Sequence, residues 1–324
     1  MTVKTSGLVL GKFMPPHLGH VRLIEFARRY VDDLTVVLGT LSSEPISGTL
    51  RFEWMQTLFP TLRVLHLTDE NPQDPSEHPD FWRIWRESLQ RILPVPPDYV
   101  FASEDYGFRL AEELGARFIP FDLKRHQIPV SGTAIRQDPL RYWEFIPACV
   151  RPYYVKRVCV FGPESSGKTT LAAALAKQLG TVWVPEYARS YLEAQAGRLC
   201  AQDMLLIAKG QCALEDTLSL DANRVLICDT DVLLTSIFSE VLFHETAEQI
   251  TKLATHRHYD LYLVTDIDVP WQPDPVRYLP DQRDVFLEHC LQKLKSLGRP
   301  YVLVSGTLEQ RIKQSLDVIS TLIQ

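Results

Sequence analysis

Short apolar runs alternate with stretches whose apolar side chains recur every three or four positions, and this alternation organises the first half of the chain. LVL (residues 8–10), LTVVLG (34–39), LRVLHL (62–67), DYVFAS (98–103) and RFIPFD (117–122) have the length and composition of strands. Between the first two, HVRLIEFARRY sets Val21, Ile24 and Ala27 at helical spacing. DFWRIWRESLQRIL predicts a second helix, stopped by PVPP at 94–97, and FRLAEELGA a short one ending at Gly115. A β-α-β order of this kind predicts a mainly parallel sheet covered by helices.

The order restarts after PACVRPYY (147–154). KRVCVFG reads as a strand and KTTLAAALAKQLG as a helix with Gly180 just past its end. TVWVPE, RVLICD, LYLVTD and YVLVSG supply four more strands. The expectation is an α/β protein of two parallel-sheet, nucleotide-binding domains, 1–152 and 153–324, without a residue-level repeat.

GPESSGKT fits G-x-x-x-x-G-K-[ST] at every fixed position, and it follows a strand and opens a helix. Gly162 and Gly167 let backbone N–H groups turn toward a phosphate, with Glu164, Ser165 and Ser166 between them. Lys168 brings a mobile charge to the β- and γ-phosphates of ATP, and the Thr169 hydroxyl, followed by Thr170, suits Mg²⁺. A kinase also needs an acceptor site. VPEYAR ends the next strand, where ligands gather in open α/β sheets. Glu186 there suits either a hydroxyl proton or a sugar diol, Tyr187 a ring, and an ion pair with Arg189 is the plainer alternative. Asp229, ending ICDTD, is a second metal candidate; a helix N-cap is its plainer alternative. The proline-rich stretch 271–286 carries Arg277 and Arg283 and reads as a mobile lid over the phosphates, or else as a solvated arginine loop.

GKFMPPHLGH, after the first apolar run, holds His17 and His20 on one turn. Zinc would need a third and a fourth donor, and His66, His78 and His126 have no ligand spacing. A phosphate fits the segment better, since the turn leads from a strand into a helix.

With SGTAIR at 131–136, SEDYG at 103–107 and the P-loop that follows, this turn resembles the H-x-G-H nucleotidylyltransferase superfamily. Nearly all of 7–310 is similar to the NadR-like family of bifunctional nicotinamide-nucleotide adenylyltransferases and ribosylnicotinamide kinases. The resemblance implies a Rossmann-like H-x-G-H domain followed by a P-loop kinase domain. It also implies phosphorylation of nicotinamide riboside by ATP to the mononucleotide (NMN), then adenylylation of NMN to NAD with release of pyrophosphate. His17 and His20 would contact the ATP phosphates, Gly11, Phe13 and Gly19 would shape the turn, and Lys12 would lie within phosphate reach. Ser131, Thr133 and Arg136 would grip the β- and γ-phosphates. Glu186 and Asp229 would serve the riboside and the metal. Trp82 and Trp85, on one helix face, are offered for stacking on the pyridine ring; two core tryptophans are the plainer alternative. The lid is less acidic than the family pattern, with only Asp274 before its arginine, which keeps open a nucleotide sensor with little kinase turnover. Other substrates, such as those of a cytidylyltransferase or a pantetheine-phosphate adenylyltransferase, fit the same motifs.

Bulk properties narrow the partners. A formal charge of −6 argues against broad binding to a nucleic-acid backbone, and strand one begins too early for a preceding DNA-binding domain of the family's regulatory kind. No apolar stretch approaches a membrane span, and MTVKTSG is unlike a signal peptide. Six scattered cysteines read as buried thiols in a reducing compartment. The expectation is a cytoplasmic enzyme of small-molecule nucleotides, with no nucleic-acid or membrane partner; homo-oligomer formation is left open.

Overall fold

The structure, a computed structural model, describes residues 4–323, so the opening of the polar start MTVKTSG lies outside the described residues. The chain divides into two compact units, one ending at Val150 and the other beginning at Arg151.

Strands of the first unit are β1 (Ser6–Gly11), β2 (Asp33–Gly39), β3 (Arg63–Leu67), β4 (Tyr99–Ala102) and β5 (Arg117–Pro120). They form one sheet in the order β3-β2-β1-β4-β5, parallel throughout. Its helices are α1 (Leu18–Tyr30), α2 (Gly48–Leu58), α3 (Phe81–Ile92), α4 (Tyr106–Leu114) and α5 (Gly132–Gln137). Strand side chains alternate between the two faces. Val9, Val36 and Phe101 join one core with Ile24 and Met55, while Leu8, Val37 and Val100 join the other with Leu89 and Leu110. Burial on both faces explains why these strands read as continuous apolar runs.

The second unit opens with α6 (Arg151–Tyr154), and its strands are β6 (Lys156–Phe161), β7 (Trp183–Val184), β8 (Val225–Asp229), β9 (Leu261–Thr265) and β10 (Tyr301–Val304). Their order is β10-β9-β6-β8-β7, again parallel throughout. The helices that follow are α7 (Lys168–Leu179), α8 (Tyr187–Ala194), α9 (Ala201–Leu218), α10 (Val232–Phe243), α11 (Glu248–His256), α12 (Arg283–Ser296) and α13 (Leu308–Ile323). Three expectations need correction. TVWVPE yields a strand of only two residues, because Tyr187 already starts α8. The stretch 271–286 is not one loop, since Arg283 opens α12. The six thiols are free, but Cys200 is exposed at the start of α9 and Cys149 is only partly buried.

In each sheet the first strand sits at the centre, with chain running to one side before crossing to the other. That reversal leaves a crevice beyond the carboxyl end of β1 and of β6, where α/β sheets take ligands. Among the described residues, no helix is long and apolar enough to cross a membrane.

Candidate active sites

Beyond β6 the backbone adopts positive φ at Gly162 (132°), Ser165 (56°) and Gly167 (89°), a sequence of turns that coils the loop before α7. A coil of this kind points successive N–H groups inward. Lys168 is buried and donates from Nζ to Pro163 O at 2.7 Å, within the loop it would serve. Ser166 is consumed structurally: its hydroxyl bonds Pro163 O at 2.7 Å and Thr265 Oγ1 at 2.6 Å. A cavity of about 450 Å³ opens in front of the loop, lined by Lys168, Thr169, Thr170, Glu186 and Arg189 among others.

Thr169 Oγ1 donates to Asp229 Oδ2 at 2.6 Å, although the two are 60 residues apart. Asp229 is fully buried, and its second oxygen, Oδ1, has no partner among the described residues. Burial, then the Glu186 carboxylate, push its pKa up to about 6, against the pull of Lys168. An under-satisfied carboxylate oxygen beside a threonine hydroxyl fits a hard divalent cation. Asp229 is not the N-cap of α10; that position belongs to Asp231, whose carboxylate accepts from Leu234 N at 2.9 Å and from the Tyr262 hydroxyl at 2.8 Å. Glu186 begins α8 without capping it.

Other candidates take different places. Glu164 ties the segment after Trp271 to the loop: its carboxylate accepts from the backbone N–H of Tyr278 and of Leu279, each at 3.0 Å. Arg277 lines the cavity and donates to Ser165 Oγ at 3.3 Å, while Arg283 reaches Ser165 O at 3.3 Å and Val269 O at 3.0 Å. Both guanidiniums lie over the Trp271 ring, at 5.7 and 5.9 Å from its centroid. Arg189 pairs with Asp274 at 3.1 Å and with Glu193 at 3.7 Å, so the ion pair with Glu186 does not form. Tyr187 is placed away from the cavity lining. Its ring packs on Gly210 of α9, where a Cβ would come within 2.0 Å of it, and its N–H donates to Gln211 Oε1 at 2.9 Å. Sequence reasoning misses Arg311, which is buried and donates to Ser166 O at 2.6 Å and to Gly306 O at 3.0 Å.

The corner beyond β1 is built differently. His17 is the N-cap of α1 and accepts from Gly19 N through Nδ1 at 3.1 Å, while His20 Nδ1 accepts from His17 N at 3.3 Å. The two imidazoles stack with centroids 3.7 Å apart and planes 27° from parallel. Because each Nδ1 accepts, the neutral tautomer carries its proton on Nε2 and offers one N–H donor. Burial and the Arg125 charge lower His17 to about 4, and burial, His17 and Arg125 hold His20 well below its ordinary value. Both rings are therefore neutral donors at neutral pH. Phe13, at φ 44°, sets its ring edge-on to His20 at 5.0 Å.

A cavity of about 740 Å³ fronts this turn, lined by Gly11, Lys12, Phe13, Gly19 and both histidines, with Ser131, Thr133 and Arg136 also on it. Gly132 permits that assembly, since a Cβ there would sit 2.6 Å from Met14 O. Arg136 donates to Met14 O and, at 3.1 Å, to Thr133 Oγ1, tying α5 to the turn. Ser131 Oγ caps α5, accepting from Ala134 N at 3.1 Å. Lys12 is already paired, its Nζ 3.2 Å from Glu44. Arg51, which no motif announces, is fully buried and donates to Lys12 O at 2.7 Å and to the Glu44 carboxylate. Trp82 and Trp85 line the cavity and also pack against the side of the core that holds Leu8 and Val37; Trp85 Nε1 donates to Pro72 O at 2.8 Å. Among the described residues, no three His, Cys, Asp or Glu side chains gather as a metal set.

These two corners define an α/β protein with a P-loop unit and a separate unit carrying paired histidines at a helix start. A family model described as "AAA domain" matches residues 157–311. The chain is 30% identical over 302 residues to the trifunctional NAD biosynthesis/regulator protein NadR of Escherichia coli strain K12, covering 87% of this chain and 73% of that one. It is also 30% identical over 325 residues to the protein of that name from Salmonella typhimurium strain LT2, covering 93% and 79%. A crystal structure of NadR protein in complex with NR superposes with a TM-score of 0.83 at 22% identity, covering 98% of this chain and 96% of that one. The chain belongs to the NadR family.

Proposed function

We propose that this chain makes NAD from nicotinamide riboside in two ATP-dependent transfers, one in each unit. The reading rests on one observation above all: a coiled phosphate loop with its lysine, and a capped histidine pair, stand in one chain of the NadR family.

In the second unit, residues 151–324, the kinase step forms NMN. The coiled loop receives the ATP phosphates on backbone N–H groups, and Lys168 exchanges Pro163 O for phosphate oxygen. Glu186, on the cavity wall, accepts the proton of the riboside hydroxyl as that oxygen attacks the γ-phosphorus and ADP leaves with the bridging oxygen. Thr169 and Asp229 would hold Mg²⁺, which when bound neutralises charge on the β- and γ-phosphates. Arg277, anchored on Ser165, lies where it stabilises charge in transit, and Glu164 keeps the lid backbone on the loop. Arg283 supports the lid through carbonyls of Val269 and Ser165.

In the first unit the mononucleotide phosphate attacks the α-phosphorus of ATP and pyrophosphate leaves. A phosphate dianion is already a nucleophile, so the residues position and stabilise. The Nε2–H groups of His17 and His20 donate to the phosphate chain, and Arg136 with Ser131 and Thr133 holds its far end. Trp82 and Trp85 offer the pyridinium ring an aromatic wall. We place the protein in the cytoplasm, where its six free thiols stay reduced.

Riboside, ATP and Mg²⁺ supplied to the purified chain should yield NMN and then NAD by chromatography. Absence of both products overturns the reading.

A further inference from the structure

We infer that Gln211 determines acceptor specificity in the P-loop unit, its amide N–H reading the carbonyl oxygen of the riboside's carboxamide; the inference rests on the kinase reading above. Gln211 lies on α9, lines the cavity in front of the phosphate loop, and is only 2% exposed. Its Oε1 accepts from Tyr187 N at 2.9 Å, which fixes the orientation of the amide, since the reverse would set two donors against each other. Nε2, the other arm of the amide, is buried with no partner among the described residues. Buried amide donors are seldom left in that state, and one on a cavity wall is where a ligand's acceptor belongs.

The surroundings identify the acceptor. Met204, Ile207 and Gln211 are spaced three and four apart on one face of α9, and Leu234 and Phe238 of α10 line the same cavity. Apolar walls with one neutral donor suit a flat ring bearing an uncharged oxygen. Glu186 lines the same cavity and is the group left for the sugar hydroxyls. A carboxylate on the ring would call for a free cation; of those on this wall, Arg189 is engaged by Asp274, Arg311 by Asp268, and Lys168 and Arg277 are bonded to the phosphate loop. The site is therefore built for a carboxamide riboside over its acid counterpart.

Steady-state kinetics on the full chain test this with Gln211→Glu, which keeps an oxygen for Tyr187 N–H and removes the donor. KM for nicotinamide riboside should rise about tenfold or more while KM for ATP stays within about twofold. The riboside of unsubstituted pyridine, which lacks the carbonyl, should serve parent and variant alike. Gln211→Met, similar in shape and without the donor, should give the same pattern and stands in if the charged variant does not fold. An unchanged KM for nicotinamide riboside in a folded variant overturns the inference, as does a parallel rise in KM for ATP or an equal loss with the unsubstituted riboside. A parent chain that neither binds nor phosphorylates the riboside overturns the kinase reading itself.

Discussion

Both units wrap a corner of chain around the carboxyl end of a central strand, yet the two corners solve the phosphate problem with different chemistry. Beyond β6 the groups are charged: a buried lysine and a buried aspartate with one oxygen that has no partner among the described residues. Beyond β1 the paired rings are neutral, and carboxylates on the cavity wall are already engaged, Glu104 by Arg125 and Asp122 by the backbone N–H groups of His126 and Gln127. The contrast follows the nucleophile. A sugar hydroxyl must lose a proton and meets a highly charged γ-phosphate, whereas a phosphate dianion arrives ready to attack.

If the corners work independently, single substitutions should separate them. Lys168→Ala is expected to cut riboside phosphorylation by about 10²–10³-fold or more, with adenylyl transfer within about twofold of the parent. His20→Ala should do the converse, costing adenylyl transfer about 10²–10³-fold and leaving the kinase intact. Loss of both activities in either variant, measured by separate assays of NMN and NAD formation, would break the comparison. Asp229→Asn should lower kinase turnover by about 10²-fold and raise the Mg²⁺ concentration for half activity, while adenylyl transfer is unmoved. Glu164→Gln keeps the shape but weakens the hold on Tyr278 and Leu279; KM for ATP in the kinase assay should rise about tenfold.

The smallest effects lie in pH. His17 is lowered to about 4 from an ordinary value of 6.5, so the unfolded chain binds more protons between those values and stability falls as pH drops from about 6.5 toward 4. His20 is lowered as well and acts in the same direction. Asp229 is raised to about 6, so its contribution runs the other way: the folded state holds more protons from 3.8 to about 6, and stability from this group falls as pH rises through that window. Thermal melts of His17→Asn and Asp229→Asn across pH 4 to 7 should therefore change the parent's slope of stability against pH in opposite directions. Kinase activity at limiting Mg²⁺ should fall below about pH 6, the fall easing as Mg²⁺ is raised.

The sheets were legible because their strands are buried on both faces and stand out as apolar runs. The phosphate loop and the histidine turn were legible because backbone geometry demands their residue types at fixed spacing. α10 was not, since VLLTSIFSEVLF is apolar on nearly every side and gives no helical stripe. Arg51, Gln211 and Arg311 were hidden for another reason. Each acts through partners far along the chain, Arg311 on Ser166 across 145 positions, and only folding brings them together. Tyr187 follows Glu186 directly, and the first turn of α8 carries its ring onto Gly210, a placement that only folding reveals.

Glu164 belongs to the phosphate loop and yet its carboxylate grips the strap that crosses it. Any movement of the strap away from the loop must break both bonds and leave that carboxylate without its backbone donors.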